Sequence, residues 1–393
     1  GAETDYSEPY ELLTLAHTPL PSGFTGVASG ALTFNWSANG NPDGAHYRVA
    51  VSTAPDPLAA GGAAVTVTDT YNLYLSTSGL AADTTYYFRA AAVNSAGAET
   101  VYTSAYATAT LLGYAPASPV FGSVSENVLR FEWSANGNAD GTLYRVAVST
   151  APDPLAPAGA AATLSDTYDL YFSSAGLSPN TTYYFRVAGV SVNGVLTAYT
   201  PAASTSTLLA YSPVGSGFSG VGTADMTFAW SANGNASGTR YRVIMAAGQD
   251  PLYDDGAAVY DTYALSLSSS GLAANTTYYF RASGVNNDGV ATSYSAVYAT
   301  STLAVAPAAG EFSGVTPSAA VFSWTGGENP ASTLYRVAVS TASNPLVPGG
   351  AAATLSGAYA LSLSTAGLAG NTTYYFRVAA VNNNGVATAY TGA

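Results

Sequence analysis

The sequence predicts an all-β protein built from four tandem sandwich domains. An eleven-residue pattern occurs four times at intervals of roughly 95 residues, which is the length of a small domain rather than of a solenoid repeat. Around each copy, short segments of alternating apolar and polar residues are separated by Gly, Asn, Asp and Pro, as in antiparallel sheets. The four copies are residues 80–90, 177–187, 272–282 and 368–378.

The second repeat shows the predicted strands in order. Leu129, Phe131 and Trp133 alternate with Arg130 and Glu132, which predicts a strand with one buried face. A turn rich in Asn and Gly follows, because these residues tolerate positive φ. Four later strands are predicted around the apolar positions of residues 144–148, 168–172, 183–187 and 199–208.

One tryptophan occupies the same place in every repeat. Each continues the inward alternation of the strand before it, so we expect a core anchor that buries a large area once per domain. Stacking on carbohydrate is the functional alternative. The four residues are Trp36, Trp133, Trp230 and Trp324.

A core Trp, then Tyr-Arg-Val, then Leu-x-Pro-x-Thr-x-Tyr-x-Phe-Arg-Val resembles the fibronectin type III family over essentially the whole chain. In the second repeat the pattern is carried by Trp133, Tyr144, Leu177, Pro179, Thr181, Tyr183 and Val187. The resemblance implies seven-stranded, immunoglobulin-like sandwiches with a tyrosine corner, in which the Tyr183 hydroxyl bonds backbone near Leu177. By position the same role falls to Tyr86, Tyr278 and Tyr374.

The repeats divide the chain into a short N-terminal segment and four domains. The segment is residues 1–18, and the domains are residues 19–112, 113–209, 210–305 and 306–393. In the segment, Tyr6, Tyr10 and Thr14 have the spacing of Tyr102, Tyr106 and Thr110, so it matches the final strand of a domain. The fourth domain has no counterpart of that strand, and we expect it to be incomplete.

The extra N-terminal strand and the incomplete fourth domain together predict donor-strand complementation. In this arrangement the N-terminal strand of one subunit completes the fourth domain of the next. The predicted donor residues are Tyr6, Tyr10, Glu11, Leu12, Leu13, Thr14 and Leu15, and the predicted acceptor residues are Trp324, Tyr374, Phe376 and Tyr390. Pro9 lacks an amide donor, and Glu11 stands where other repeats have Ala or Ser. The donated strand is therefore expected either to pair mainly from Glu11 onward or to slip by one residue.

This hypothesis makes the protein a structural subunit of an extracellular filament or surface fibre whose partners are copies of itself. Such a contact does not close on itself and therefore continues as a polymer. The alternative is a non-catalytic spacer or glycan-binding array, cut from a larger secreted adhesin or enzyme. Low charge with abundant Ser, Thr, Gly, Asn and Tyr is common on exported bacterial surface proteins.

The chain has few charged residues, and acidic residues outnumber basic ones. Only 8% of residues are charged, the ten basic residues are all Arg, and the formal net charge of −13 argues against nucleic acid. Arginines on neighbouring strands predict an outward ladder stacked on tyrosines, or a repeated contact surface for anionic glycans or a neighbouring filament. The eight are Arg48, Arg89, Arg145, Arg186, Arg242, Arg281, Arg336 and Arg377.

Catalytic chemistry has few candidate residues. The chain contains two His and no Cys, and no serine-hydrolase or zinc-binding string, so neither an enzyme nor a cofactor is expected. No apolar run is long enough to span a bilayer.

The Asn-rich loops after each Trp are interpreted as turns, with calcium binding as the alternative. Glycosylation strings begin at Asn35, Asn180, Asn235, Asn275 and Asn371.

Overall fold

The computed structural model describes residues 8, 12–59, 65–157, 162–346 and 354–392. Within these ranges the chain forms four antiparallel sandwiches, and its helical content is one 3₁₀ turn at Pro251–Tyr253. The all-β fold class predicted from the alternation is therefore confirmed.

The first sandwich packs a three-stranded sheet, ordered β1-β2-β5, on a four-stranded sheet, ordered β4-β3-β6-β7. All of its pairings are antiparallel. Its strands are β1 (Leu20–Thr25), β2 (Ala31–Ser37), β3 (His46–Ser52), β4 (Thr66–Thr70), β5 (Tyr74–Ser78), β6 (Thr85–Val93) and β7 (Tyr106–Ala109).

The second and third sandwiches repeat this topology. The second consists of β8 (Ala117–Val124), β9 (Val128–Ser134), β10 (Leu143–Ser149), β11 (Thr163–Thr167), β12 (Tyr171–Ala175), β13 (Thr182–Val190) and β14 (Ala203–Ser206). The third consists of β15 (Val214–Ser219), β16 (Asp225–Ser231), β17 (Arg240–Ala246), β18 (Ala258–Thr262), β19 (Ser266–Ser270), β20 (Thr277–Val285) and β21 (Tyr298–Ser301).

The fourth sandwich has two sheets of three strands, ordered β22-β23-β26 and β25-β24-β27. Its strands are β22 (Ala308–Ser313), β23 (Ala319–Thr325), β24 (Leu334–Ser340), β25 (Thr354–Ala358), β26 (Ser362–Ala366) and β27 (Tyr375–Val381). The position of the seventh strand beside β27 is unfilled in the part of the chain that the structure describes.

Each sandwich has its own core, made by the inward positions of the central strands. In the second, Leu129, Phe131 and Trp133 are at most 5% exposed, and Trp133 packs edge-on against Tyr144. All four tryptophans are 3–5% exposed. They are core anchors as predicted, and carbohydrate stacking has no accessible ring face.

One predicted strand was wrong. Tyr168, Leu170 and Phe172 were placed on a single strand, whereas the first two lie in the turn between β11 and β12 and are 69% and 44% exposed. The structure forms two short strands there because Thr163–Thr167 pairs with β10 as an edge strand. An edge strand of Thr, Ser and Asp carries little apolar alternation, so the sequence did not indicate it.

The tyrosine corner is present at the start of the strand corresponding to β6. Backbone N–H groups donate to the hydroxyl oxygens of Tyr86 (from Ala81, 2.9 Å), Tyr278 (from Ala273, 3.0 Å) and Tyr374 (from Ala369, 2.9 Å). The corner bond is therefore present in the fourth sandwich as well as in the complete ones.

The chain divides into two compact units. One extends to Leu177 and includes Thr181–Thr205, and the other comprises Ser178–Asn180 together with the chain from Ser206 onward. The first and fourth sandwiches lie in different units.

Candidate strand-acceptor groove

In a complete sandwich the seventh strand closes the core through one buried threonine. In the first sandwich this is Thr110, which is 0% exposed. Its N–H donates to the Thr84 carbonyl (3.1 Å), its hydroxyl donates to the Ala81 carbonyl (2.7 Å), and the same hydroxyl accepts the Thr84 N–H (3.0 Å). One side chain therefore ties the final strand to the corner turn.

The third sandwich repeats this arrangement. Thr302, also 0% exposed, donates its N–H to the Thr276 carbonyl (3.1 Å) and its hydroxyl to the Ala273 carbonyl (2.7 Å). The next residue continues the strand, since the Asn275 N–H donates to the Leu303 carbonyl (3.2 Å). Backbone groups of Ala273, Asn275 and Thr276 are thus satisfied by a strand of fixed register.

In the fourth sandwich the matching groups face an open edge. They are the Ala369 carbonyl and the N–H groups of Asn371 and Thr372, and none has a hydrogen-bond partner within the described ranges. Strand β27 also starts two residues later in the repeat than β6, β13 and β20. The edge of this sheet therefore offers the unpaired backbone that an added strand requires.

An apolar groove of about 530 Å³ lies beside this edge. It is lined by Phe312, Val315, Leu368, Tyr374 and Phe376, among others. Phe312 is 49% exposed although its ring packs on Phe322 and Phe376, and Val315 is 70% exposed. Their counterparts in the three complete sandwiches are partly buried against the core. The groove is the part of the core that a seventh strand covers elsewhere.

The structure sorts the predicted acceptor residues into two groups. Tyr374 and Phe376 line the groove, while Trp324 lies deeper in the core and Tyr390 is half-buried away from the groove lining. The prediction missed Phe312, Val315 and Leu368. They correspond to core-packed residues of the other repeats, such as Phe218, Val221 and Leu272 in the third. Aligning the repeats in the sequence could therefore have identified them.

Part of the predicted donor segment is described. Leu12, Leu13 and Leu15 are 89%, 51% and 73% exposed, and Thr14 is also exposed, although its counterparts Thr110 and Thr302 are fully buried. Three further donor residues, Tyr6, Tyr10 and Glu11, lie outside the described residues. The described donor residues therefore match the residues of a final strand in sequence, but their side chains are exposed rather than packed in a core.

Residues 14–17 contact the first sandwich in the same way as the linker residues 302–305 contact the fourth. The Asn94 side chain donates to the Thr14 carbonyl (3.4 Å), as Asn382 donates to the Thr302 carbonyl (3.1 Å). The His17 N–H donates to the Asn41 side chain (2.7 Å), as the Val305 N–H donates to that of Asn329 (2.8 Å). Thr14 and His17 therefore occupy the positions of Thr302 and Val305 in these contacts.

These contacts also give the Asn-rich loops after each Trp a structural role. Five residues after the Trp, an Asn side chain both accepts from and donates to one linker residue, as Asn138 does with Tyr114 at 3.3 and 2.8 Å. The equivalent bonds join Asn235 to Tyr211. The side-chain oxygens are used as hydrogen-bond acceptors for the linker, which favours the turn interpretation over calcium.

Among the glycosylation strings, Asn275 is only 3% exposed and its side chain donates to Thr333, so a glycan there is incompatible with this fold. Asn235 is bound to the linker as described. Asn371, the counterpart of Asn275, is exposed.

The outward arginines pair with aspartates, which corrects the predicted Arg–Tyr ladder. Six ion pairs form across strands or loops: Arg48–Asp69, Arg145–Asp166, Arg242–Asp261, Arg89–Asp56, Arg186–Asp153 and Arg281–Asp250, at 2.7–3.0 Å. Carboxylates compete better than tyrosine rings for a guanidinium because they are charged and accept two hydrogen bonds. Within the described ranges, the arginine over a tyrosine ring is Arg130 above Tyr171, at 3.9 Å.

The fourth sandwich differs here too. Arg336 lies opposite Gly357 where the other repeats have Asp, and neither Arg336 nor Arg377 has an ion-pair partner in the described part of the chain. In the complete sandwiches, the hydrogen-bonded guanidinium holds the pKa of Asp69, Asp166 and Asp261 below its ordinary value.

Two further kinds of feature are absent from the described residues. No group of three or more His, Asp or Glu is placed to hold a metal ion. No helix in these residues has the length and apolar character needed to cross a membrane.

A family model matches two parts of the chain, and two solved structures resemble it weakly. The model of the fibronectin type III domain matches residues 114–206 and 305–391. A crystal structure of the FN1–FN3 domains of chicken CNTN1 is 16% identical, with 72% of this chain and 99% of that one covered and a TM-score of 0.28. A two-domain fibronectin type III segment of chicken tenascin is 15% identical, with 48% and 100% covered and a TM-score of 0.32. No curated protein matches the chain.

Proposed function

We propose that this chain, in which residues 114–206 and 305–391 match the fibronectin type III domain, is a structural subunit of an extracellular filament or surface fibre, assembled head-to-tail by strand donation. Domains of this family are commonly extracellular, and tandem arrays of them are typically non-catalytic. The proposed units are an N-terminal donor strand, residues 1–18, and domains at residues 19–112, 113–209, 210–305 and 306–393. In this role the chain is not an enzyme and its partners are copies of itself.

One observation carries the proposal: an open groove and an exposed strand of matching register occur in the same chain. The groove exposes Phe312 and Val315, and the strand exposes Leu12 and Thr14. Docked in the register of Thr302, Thr14 supplies the N–H and hydroxyl that the Thr372 and Ala369 backbone groups lack. The contact uses different surfaces on the two copies, so it repeats as a filament.

Apolar burial gives the contact its strength. In the register of Thr14, Leu12 matches Thr108, which lies opposite the corner residue Tyr86. Leu12 is 89% exposed in the free segment, and covering a leucine side chain contributes roughly 1.5–3 kcal/mol. Covering Phe312 and Val315 adds to this, and backbone pairing to β27 fixes the register.

The two unusual donor residues fit this register. Glu11 matches Ala107 and Ala299, which lie on the outer face and are exposed, so a carboxylate there stays in water. Pro9 matches positions just before β7 and β21, where the missing N–H removes no ladder bond. Neither residue requires the register to slip.

The competing function is a spacer or glycan-binding array in a larger secreted protein. A generic tandem array is compatible with a spacer. Binding of anionic glycans by the arginines is disfavoured because six of the eight are already ion-paired and the net charge is −13.

The test removes the strand and then returns it. A chain lacking residues 1–15 is compared with the full chain by electron microscopy and light scattering. We expect filaments from the full chain and monomers from the shortened one, and one-to-one binding of a synthetic peptide of residues 1–18 to the monomer. A peptide with Leu12→Asp is the matched control, because a charge at an inward position prevents docking. Filaments of unchanged form from the shortened chain, or equal binding of both peptides, would contradict the proposal.

A further inference from the structure

Neighbouring sandwiches within each compact unit share a backbone-to-side-chain hydrogen bond. In the first unit, the Val192 N–H donates to the Asp83 carboxylate at 2.7 Å. In the second unit, the Asn383 N–H donates to the side-chain oxygen of Asn275 at 2.7 Å. The donor is each time the second residue of the turn after β13 or β27, and the acceptor is in the corner turn of the preceding sandwich.

The same bond recurs elsewhere in the second unit, between the Asn287 N–H and the side-chain oxygen of Asn180 at 2.9 Å. The three donors are Val, Asn and Asn, so only the backbone N–H is common to them. The three acceptors are Asp or Asn with φ of 45–50°, a conformation that these residues tolerate. The recognition therefore depends on an Asp or Asn oxygen presented by a left-handed turn.

The fourth sandwich has the acceptor half of this bond and the first sandwich has the donor half. Asn371 occupies the acceptor position in the fourth sandwich, with φ of 54°, and is exposed although its counterpart Asn275 is 3% exposed. Ser95 occupies the donor position in the first sandwich and is exposed. The Ser95 N–H has no hydrogen-bond partner within the described ranges.

We infer that the Asn371 side chain of one subunit accepts the Ser95 N–H of the next, forming a second head-to-tail contact beside the donated strand. The inference rests on the proposed function and extends it from strand capture to domain orientation.

The geometry of the existing joint supports this pairing. Between the third and fourth sandwiches, Thr302 bridges both contacts: its N–H pairs with the third sandwich, and its carbonyl accepts from Asn382 of the fourth. Thr14 already accepts from Asn94, the residue before Ser95. A strand docked through Thr14 therefore brings Asn371 to Ser95 just as Thr302 brings Asn275 to Asn383.

Hydrogen exchange of the Ser95 amide in polymers tests the contact. Three full-length chains are compared: the natural chain, Asn371→Gly, which keeps the positive φ but removes the acceptor, and Asn371→Asp, which imitates Asp83. We expect at least tenfold slower exchange of Ser95 in polymers than in the monomer lacking residues 1–15. Asn371→Gly should lose that protection while polymers still form, and Asn371→Asp should keep it.

The outcomes separate the two proposals. Polymers in which Ser95 exchanges as fast as in the monomer, or in which Asn371→Gly keeps full protection, would overturn this contact but leave strand donation standing. Failure of the natural chain to polymerise would overturn both.

Discussion

The third and fourth sandwiches have nearly the same central strands and differ in how they are closed. Both bury a Trp, a Phe pair and a core Tyr, and both form the corner bond to Tyr278 or Tyr374. Only in the third does a seventh strand cover the aromatic edge, through Tyr298 and Thr302. The centre of such a sandwich therefore forms without the last strand, and the strand's role is to close one side.

This comparison separates residues that build the core from residues that receive a strand. Trp324 is as buried as Trp230, whereas Phe312 is far more exposed than Phe218. The difference predicts that an added strand will act on the groove and leave the tryptophan environment unchanged.

The largest expected effect comes from giving the fourth sandwich a strand of its own. In the third sandwich, two residues separate Ser295 from Tyr298, the first residue of the seventh strand. In the fourth, Thr391 corresponds to Ser295, so appending residues 10–18 directly after Ala393 places Gly392 and Ala393 between Thr391 and Tyr10. In a chain that also lacks residues 1–15, we expect a monomer whose fourth sandwich gains about 3 kcal/mol, because Leu12 and Phe312 become buried. That gain corresponds to roughly 12–24 °C in melting temperature. Calorimetry checks it, with Leu12→Asp in the appended strand as control.

Removing the groove phenylalanine gives the next largest effect. Phe218→Ala deletes a ring packed against Phe228 and Phe280, and about 3 kcal/mol of unfolding free energy should be lost. Phe312→Ala should cost only about 1 kcal/mol in the monomer, because half of that ring is already in water. Chemical denaturation measures both. Equal losses in the monomer would show that the fourth core is closed in solution.

A smaller effect is expected at the tyrosine corner. Tyr278→Phe and Tyr374→Phe each remove one hydrogen bond to a backbone N–H, and each should cost about 1 kcal/mol. The two losses should be similar because the corner forms in both sandwiches. A much smaller loss for Tyr374→Phe would mean that the corner requires the seventh strand. The same denaturation assay distinguishes these results.

The smallest effect concerns the surface ion pairs and pH. Because Arg242 lowers the pKa of Asp261, the pair stabilises the third sandwich above the unfolded pKa of about 3.9 and is lost as the pH falls through the lower folded value. For such an exposed pair, Asp261→Asn should cost about 0.5 kcal/mol at pH 7 and less at pH 2. In the fourth sandwich Gly357→Asp should create a pair with Arg336 and gain a similar amount. Urea denaturation at both pH values checks the two variants.

The sequence was sufficient to predict the repeat, the sandwiches and the buried tryptophans, because each depends on alternation or on comparing four copies. It did not predict the edge strand at Thr163–Thr167, whose stabilisation comes from pairing rather than from apolar alternation. It also misassigned the arginine partners, since Asp69 or Asp153 meets its arginine only after strands or loops are brought together. The groove residue Phe312 was predictable from its match to Phe218, but only structure shows that it is left open.

Engineered disulfides test the central claim of strand donation most directly, because the natural chain has no cysteine. In the third sandwich, Tyr279 lies opposite Ala299, and the donated strand places Glu11 opposite Tyr375 in the same way. A chain carrying Glu11→Cys and Tyr375→Cys should form a ladder of multiples of 39.6 kDa on a non-reducing gel after oxidation. Tyr279→Cys with Ala299→Cys provides the positive control, with a crosslink inside one chain. Leu12→Cys with Tyr375→Cys, which points the two thiols to opposite faces, should give no ladder. A ladder from this last pair equal to that from the first, or no ladder from the first when the positive control closes, would contradict the account.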